Sequence, residues 1–305
     1  MLPFSRVTII GTGLIGSSLA RAVRAYMPTV RLTGYDRDAA VAARADALDL
    51  FDDMADSAGA AVCDADLVVF AIPVRAIAAA AQEIAADLPD DAVVSDVGSV
   101  KGEVLAALTD ALPHPRRIIP AHPVAGTENS GPDAGFAALF ANRWCILTPG
   151  EEASSDAVTR LGEFWRKLGS DVEIMSPQHH DMVLAVTSHL PHLIAYTIVG
   201  TASDMEDVTN SEVIKYSAGG FRDFTRIAAS DPDMWRDIFL ANKDAVLDTL
   251  QRFTEDLTQL QRAIRWDDAD ALYETFTRTR DVRRRIIDAG QDTAAPDFGR
   301  DHPKG

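Results

Sequence analysis

The stretch VTIIGTGLIGSSLA, residues 7–20, decides the fold. Val7–Ile10 is a short β-branched run, which reads as a buried strand. Gly11, Gly13 and Gly16 follow in the order G-x-G-x-x-G, and a helical pattern continues to about Ala25. Each glycine has its own reason in such a strand-to-helix turn. Gly11 permits the tight turn, Gly13 lets backbone approach a bound group, and Gly16 lets helix and strand pack closely. Free N–H groups and the dipole at the helix start favour an anion. The block therefore reads as the pyrophosphate cradle of a dinucleotide, with Leu14 and Ile15 lining it. Asp36 closes the second strand, RLTGYD, twenty residues past Gly16. Its carboxylate is placed to accept from a ribose 2′-hydroxyl and to repel a 2′-phosphate. NAD is expected over NADP, although the neighbouring Arg37 could tolerate a phosphate.

Outward from this block, strands and helices alternate. DLVVFAIP (66–73), AVVSDVGS (92–99), RRIIPAH (116–122), WCILTP (144–149) and DVEIM (171–175) read as strands separated by helical stretches. Alternation with apolar, β-branched strands predicts an α/β fold: a doubly wound, mostly parallel Rossmann-type sheet covered on both faces. After Met175 the strand signals stop. Ser176-Pro177 reads as an N-cap with proline at the first helical position. Apolar residues then recur at three- and four-residue steps from Trp235 to Ile264, the stripe of one long helix suited to packing on a partner subunit. The expected division is a dinucleotide-binding domain at 1–176, an all-helical substrate and dimerisation domain at 177–290, and a flexible tail at 291–305.

Composition narrows the function classes. The 305 residues are 47% hydrophobic and 25% charged, with a net charge of −17. This argues against nucleic-acid binding. An anionic substrate stays open, because screening over about 8 Å leaves local arginines in control. The most apolar stretch, Ala60–Ala81, is interrupted by Asp64, Asp66, Pro73 and Arg75 and is not a membrane span. The six residues before Val7 leave no room for a signal peptide. Cys63 and Cys145, without metal-ligand spacing, read as reduced, buried thiols of a cytoplasmic protein.

Ligands of open α/β sheets bind outside the carboxyl ends of strands. Ser99 and His122 both fall at such ends, and Pro73 marks a third. In AHPVAGTE (121–128), Pro123 biases His122 towards extended backbone, and Gly126, Thr127 and Glu128 form an open turn. A ring so placed can take a proton near neutral pH; a capped core imidazole is the plainer alternative. In TSHLPHL (187–193), His189 and His192 share a helix face that Pro191 should kink. No carboxylate or cysteine is suitably spaced to complete a metal site, so pocket lining or packing is expected there. QHHD (178–181) reads as helix capping. Arg222 and Asp223 suit a surface ion pair, whereas Arg226, between an aromatic pair and IAA, suits partial burial.

GTGLIGSSLA, SDVGSVK, HPVAGTENSG, TSHLPHL and GGFRDFTRIAASDPDMW occur in this order from Gly11 to Trp235. The series resembles the prephenate/arogenate (cyclohexadienyl) dehydrogenase family. The resemblance implies NAD-dependent oxidation of a cyclohexadienol at C4 with loss of carbon dioxide from C1, in tyrosine biosynthesis. It implies that His122 deprotonates the C4 hydroxyl, and that Ser99 bonds the same hydroxyl and, as part of the cofactor site, helps orient His122 and the nicotinamide. Arg226 would grip a substrate carboxylate, and His192 and Thr127 would line the pocket. Glu128 and Asp223 would gate the entrance, and Gly219 would allow close backbone approach. It also implies a homodimer built through the helical half. The rival readings are a β-hydroxyacid-type dehydrogenase, using Lys215 or Lys243, and a non-catalytic nucleotide-binding dimer.

Overall fold

The computed structural model describes residues 2–127, 129–205 and 219–288. Glu128, Lys215 and the segment 291–305 lie outside the described residues. The strands are β1 (Arg6–Ile10), β2 (Arg31–Tyr35), β3 (Asp53–Met54), β4 (Leu67–Phe70), β5 (Val93–Asp96), β6 (Ala121–Pro123), β7 (Trp144–Leu147) and β8 (Asp171–Ile174). Interleaved with them are α1 (Leu14–Tyr26), α2 (Ala39–Ala47), α3 (Ala58–Val62), α4 (Ile77–Ile84), α5 (Gly102–Ala111) and α6 (Ser155–Lys167). After β8 come α7 (Pro177–Leu184), α8 (Leu190–Asp204), α9 (Gly219–Thr225), α10 (Pro232–Ala241), α11 (Lys243–Arg265) and α12 (Ala269–Asp288).

The first five strands form one parallel sheet in the order β3-β2-β1-β4-β5. The order reverses between β1 and β4, which opens a crevice at their carboxyl ends. Both faces are covered, as the apolar strands require. Val7, Ile9 and Val69 enter one core cluster, while Ile10, Val68 and Phe70 enter the other. Each fully buried Val, Ile or Phe stabilises the sheet by roughly 1.5–3 kcal/mol, so truncating one weakens the face it packs.

The sixth strand departs from the expected pattern. Pro115–Arg117 is a 3₁₀ turn, and Ile118 makes a single parallel bridge to Val94 beside β5. Proline at 120 has no N–H to continue that ladder, and its carbonyl instead accepts from Thr148 N. The chain there leaves the first sheet and enters a second, β6-β7-β8, where β6 runs antiparallel to β7. His122 sits in β6 opposite Ile146.

Ser176 caps α7 by accepting from His179 N, with Pro177 in the first turn, as its sequence predicts. Pro191 lies in the first turn of α8 without ending the helical run. A π-helical turn, Ala185–His189, joins α7 to α8, and widening of this kind absorbs a missing backbone donor. The stripe from Trp235 to Ile264 is two helices rather than one. Asn242 interrupts it at φ −108°, ψ 34°, with its side chain turned inward and buried. Cys63 is exposed, contrary to expectation, while Cys145 is buried.

Residues up to Val246 form one compact unit, and those from Leu247 form another. In the first, the run Pro177–Asp204 is long and apolar enough to cross a bilayer by length and composition. In the second, α11 and α12 expose Leu257, Ile264, Tyr273 and Phe276.

Candidate active site

The glycine turn has the shape its sequence predicts. Gly11 has φ +94°, and a Cβ there would lie 2.5 Å from the Ala71 carbonyl oxygen. A Cβ on Gly16 would lie 1.9 Å from the Gly11 oxygen. Gly13, in contrast, faces open space. The start of α1 has no side-chain cap and no acidic residue in its first turn, so its N–H groups remain available to an anion. This is a cradle that fits a pyrophosphate. Asp36 is half-buried beside it. Its Oδ2 accepts from Thr12 N at 2.7 Å, and its Oδ1 accepts from Asp38 N at 3.0 Å. The acid therefore also holds the glycine loop, a second task not visible in the spacing.

At the end of β5 lies a buried ion pair that the sequence did not disclose. Lys101 Nζ donates to Asp96 Oδ2 at 2.5 Å and to the Ala121 carbonyl at 2.7 Å, and both side chains are 0% exposed. Asp96 also accepts from Gly98 N and Ala121 N. Burial pushes the Asp96 carboxyl up and the Lys101 ammonium down, and their mutual contact opposes both shifts. The pair fastens β6, and hence His122, to the carboxyl end of β5.

His122 is buried, at 7% exposure. Its Nδ1 lies 2.8 Å from His180 Nε2, and His180 Nδ1 lies 2.8 Å from Asp181 Oδ1. Asp181 in turn accepts from Lys101 N and Gly102 N, both at 2.8 Å, ahead of α5. QHHD is thus more than a cap: His180 and Asp181 connect directly to the predicted base. The only sequence signal was a His-Asp pair near a helix start, which is common in caps. Burial holds His122 well below the usual imidazole range, and the neighbouring His180, Lys101 and His189 add to the shift. The ring is accordingly neutral. Its Nε2 makes no hydrogen bond to a described residue and, unlike His189 Nε2, is not sealed from solvent.

His189 and His192 do share a face, and both meet Trp235. His192 stacks on the indole with centroids 3.6 Å apart, and His189 meets it edge-on at 6.0 Å. His192 Nδ1 donates to the Ser188 carbonyl at 2.9 Å, which leaves Nε2 free. Burial lowers the His192 pKa; the Ser188 carbonyl opposes this shift and the charge of Arg226 adds to it. Arg226 is exposed rather than partly buried, because the short 3₁₀ turn Arg226–Ala229 carries it at the surface. It makes no hydrogen bond or ion pair to a described residue.

Ser99 is half-buried in the loop after β5, and its hydroxyl makes no hydrogen bond to a described residue. The ring of His122 is held by His180, not by Ser99. Thr127 is exposed, and its hydroxyl accepts from Asn129 N at 3.3 Å. Asp223 forms a surface ion pair with Arg222, both more than 70% exposed. A Cβ on Gly219 would make only ordinary contacts with the described residues, 3.8 Å or more away, so none of these requires glycine there.

A dinucleotide cradle after β1 and a neutral, buried imidazole in β6 suit a nucleotide-dependent oxidoreductase. Comparison with known proteins places it further. Residues 19–174 match the nucleotide-binding domain of prephenate dehydrogenase, and residues 176–278 match its dimerization domain. The chain is 46% identical over 283 residues to the cyclohexadienyl dehydrogenase of Zymomonas mobilis, covering 93% of this chain and 96% of that one. The prephenate dehydrogenase of Aquifex aeolicus, solved with hydroxyphenyl propionate and NAD+, superposes with a TM-score of 0.86 at 35% identity, over 92% of this chain and 98% of that one. A Synechocystis arogenate dehydrogenase superposes with a TM-score of 0.79 at 26% identity, over 92% and 99%. The chain belongs to the prephenate dehydrogenase family and is an enzyme of that type.

Proposed function

We propose that this enzyme catalyses the NAD-dependent oxidative decarboxylation of prephenate, arogenate or both, giving 4-hydroxyphenylpyruvate or tyrosine. The observation that carries the reading is His122, a ring held neutral by burial with Nε2 open, in a chain whose glycine turn is shaped for a pyrophosphate. Bound NAD+ supplies the hydride acceptor. Gly11, Gly13, Gly16, Leu14 and Ile15 would hold its pyrophosphate end, and Asp36 would accept from the ribose. His122 Nε2 takes the proton of the C4 hydroxyl, and Ser99, with its hydroxyl unengaged, bonds the same oxygen. Arg226 grips a substrate carboxylate, His192 and Thr127 line the pocket, and Glu128, Asp223 and Gly219 stand at the entrance. Aromatisation drives the release of carbon dioxide, so the residues chiefly supply alignment and a base.

The helical part is read as the seat of a homodimer. Its exposed apolar helices need a cover, and the second matched domain is a dimerization domain in its relatives. A lipid cover suits Pro177–Asp204 poorly, because His180, Asp181, His189 and His192 lie along it.

The test crosses prephenate and arogenate with NAD+ and NADP+ in one spectrophotometric assay, on wild-type enzyme and His122→Asn. The variant should lose roughly 10²–10⁴-fold in kcat with dinucleotide affinity nearly intact. No turnover of either substrate by the wild type, or an active His122→Asn, would refute the reading.

A further inference from the structure

Resting on His122 as the base, we infer that His180, backed by Asp181, is a positioning residue that fixes the tautomer of His122 so that Nε2 is the atom left to accept the proton. The argument follows donors and acceptors from the anion outward. Asp181 is a carboxylate that already accepts two backbone N–H groups, from Lys101 and Gly102. A carboxylate can only accept, so the 2.8 Å contact with His180 Nδ1 requires the proton on Nδ1. Burial lowers the pKa of His180, so the ring is neutral and carries one proton. Its Nε2 is therefore an acceptor. The 2.8 Å contact with His122 Nδ1 then requires His122 to donate from Nδ1. His122 is neutral too, and its Nε2 bears a lone pair.

Three side chains from two elements settle one proton position. β6 presents His122, and α7 presents His180 and Asp181 one residue apart. The rings of His122 and His180 meet edge-on, with centroids 5.1 Å apart and planes at 69°, so the contact also fixes ring orientation. When His122 takes the hydroxyl proton it becomes an imidazolium. His180 continues to accept from Nδ1–H, with the Asp181 anion behind it. No bond other than the substrate O–H is broken in this step, and the proton moves from that oxygen to His122 Nε2.

The test uses the full-length enzyme with His180→Leu, His180→Gln and His122→Asn. Leucine removes the acceptor; glutamine places an amide oxygen near the Nε2 position and restores it. His180→Leu should lose roughly 10- to 10²-fold in kcat, a part of the full general-base effect, with substrate KM and dinucleotide affinity little changed. His180→Gln should recover most of that loss. ¹⁵N NMR of histidine-labelled enzyme should show His122 Nε2 without a proton in the wild type and in His180→Gln. This measurement decides the matter even if His180→Leu fails to fold. The inference is overturned by a wild-type kcat in His180→Leu, by an equal loss in both His180 variants, or by a proton found on His122 Nε2. An active His122→Asn would instead remove the base assignment itself.

Discussion

Replacing Lys101 with methionine tests the buried ion pair. Methionine keeps the unbranched stem and removes the charge. Asp96 would keep Gly98 N and Ala121 N but lose its cation, and the Ala121 carbonyl would lose its side-chain donor. Both partners are 0% exposed, so water cannot substitute. Breaking a buried pair from one side costs about 3–5 kcal/mol, of which an unsatisfied carbonyl accounts for about 1–3 kcal/mol. At about 1.4 kcal/mol per decade, the folded-to-unfolded ratio should drop by roughly 10²–10⁴. Urea unfolding at fixed protein concentration reads this as a lower midpoint with an unchanged slope. Asp96→Asn and the double variant complete the cycle, and a coupling of about 2 kcal/mol or more is expected for two groups in direct contact. A loss below about 1 kcal/mol, the range of exposed pairs, or strict additivity would show that the pair does not fasten β6 to β5.

Other expectations follow from the same geometry. Because burial lowers the pKa of His122 and of His180, the neutral base persists below pH 6.5; kcat/KM should hold at pH 6, and an acid limb at or above 6.5 would contradict this. Stability has the same sign. The unfolded histidines take up protons near pH 6.5 while the folded ones resist, His189 down to about 4, so this contribution is full above pH 6.5 and is lost as pH falls towards 4. Asp36→Asn is preferable to alanine, since it keeps an acceptor for Thr12 N. Removing a like charge near a 2′-phosphate is worth on the order of 1–4 kcal/mol, so the NADP-to-NAD preference should rise about tenfold or more, and no shift would place the acid out of reach. Arg226→Ala should raise substrate KM roughly ten- to a hundredfold, the worth of a charge-assisted hydrogen bond, and an unchanged KM would place the guanidinium outside the pocket.

The sequence by itself determined the elements that depend on local sterics. VTIIGTGLIGSSLA dictates a strand, a glycine turn and a helix because no other residue fits beside the Ala71 carbonyl or the Gly11 oxygen. Ser176-Pro177 likewise marks a helix start through its own backbone chemistry. The family series from Gly11 to Trp235 pointed to His122 as the base, but not to what holds it. Tertiary structure alone decided that Pro120 moves the chain into a second sheet, that Asn242 divides the Trp235–Ile264 stripe, and that Arg226 lies exposed. It also decided that His180, 58 residues from His122, is that ring's hydrogen-bond partner, and that Asp96 and Lys101 close over each other. These are contacts between polar groups brought together by folding. Their strength comes from burial and distance, and neither quantity is written in the spacing of residues along the chain.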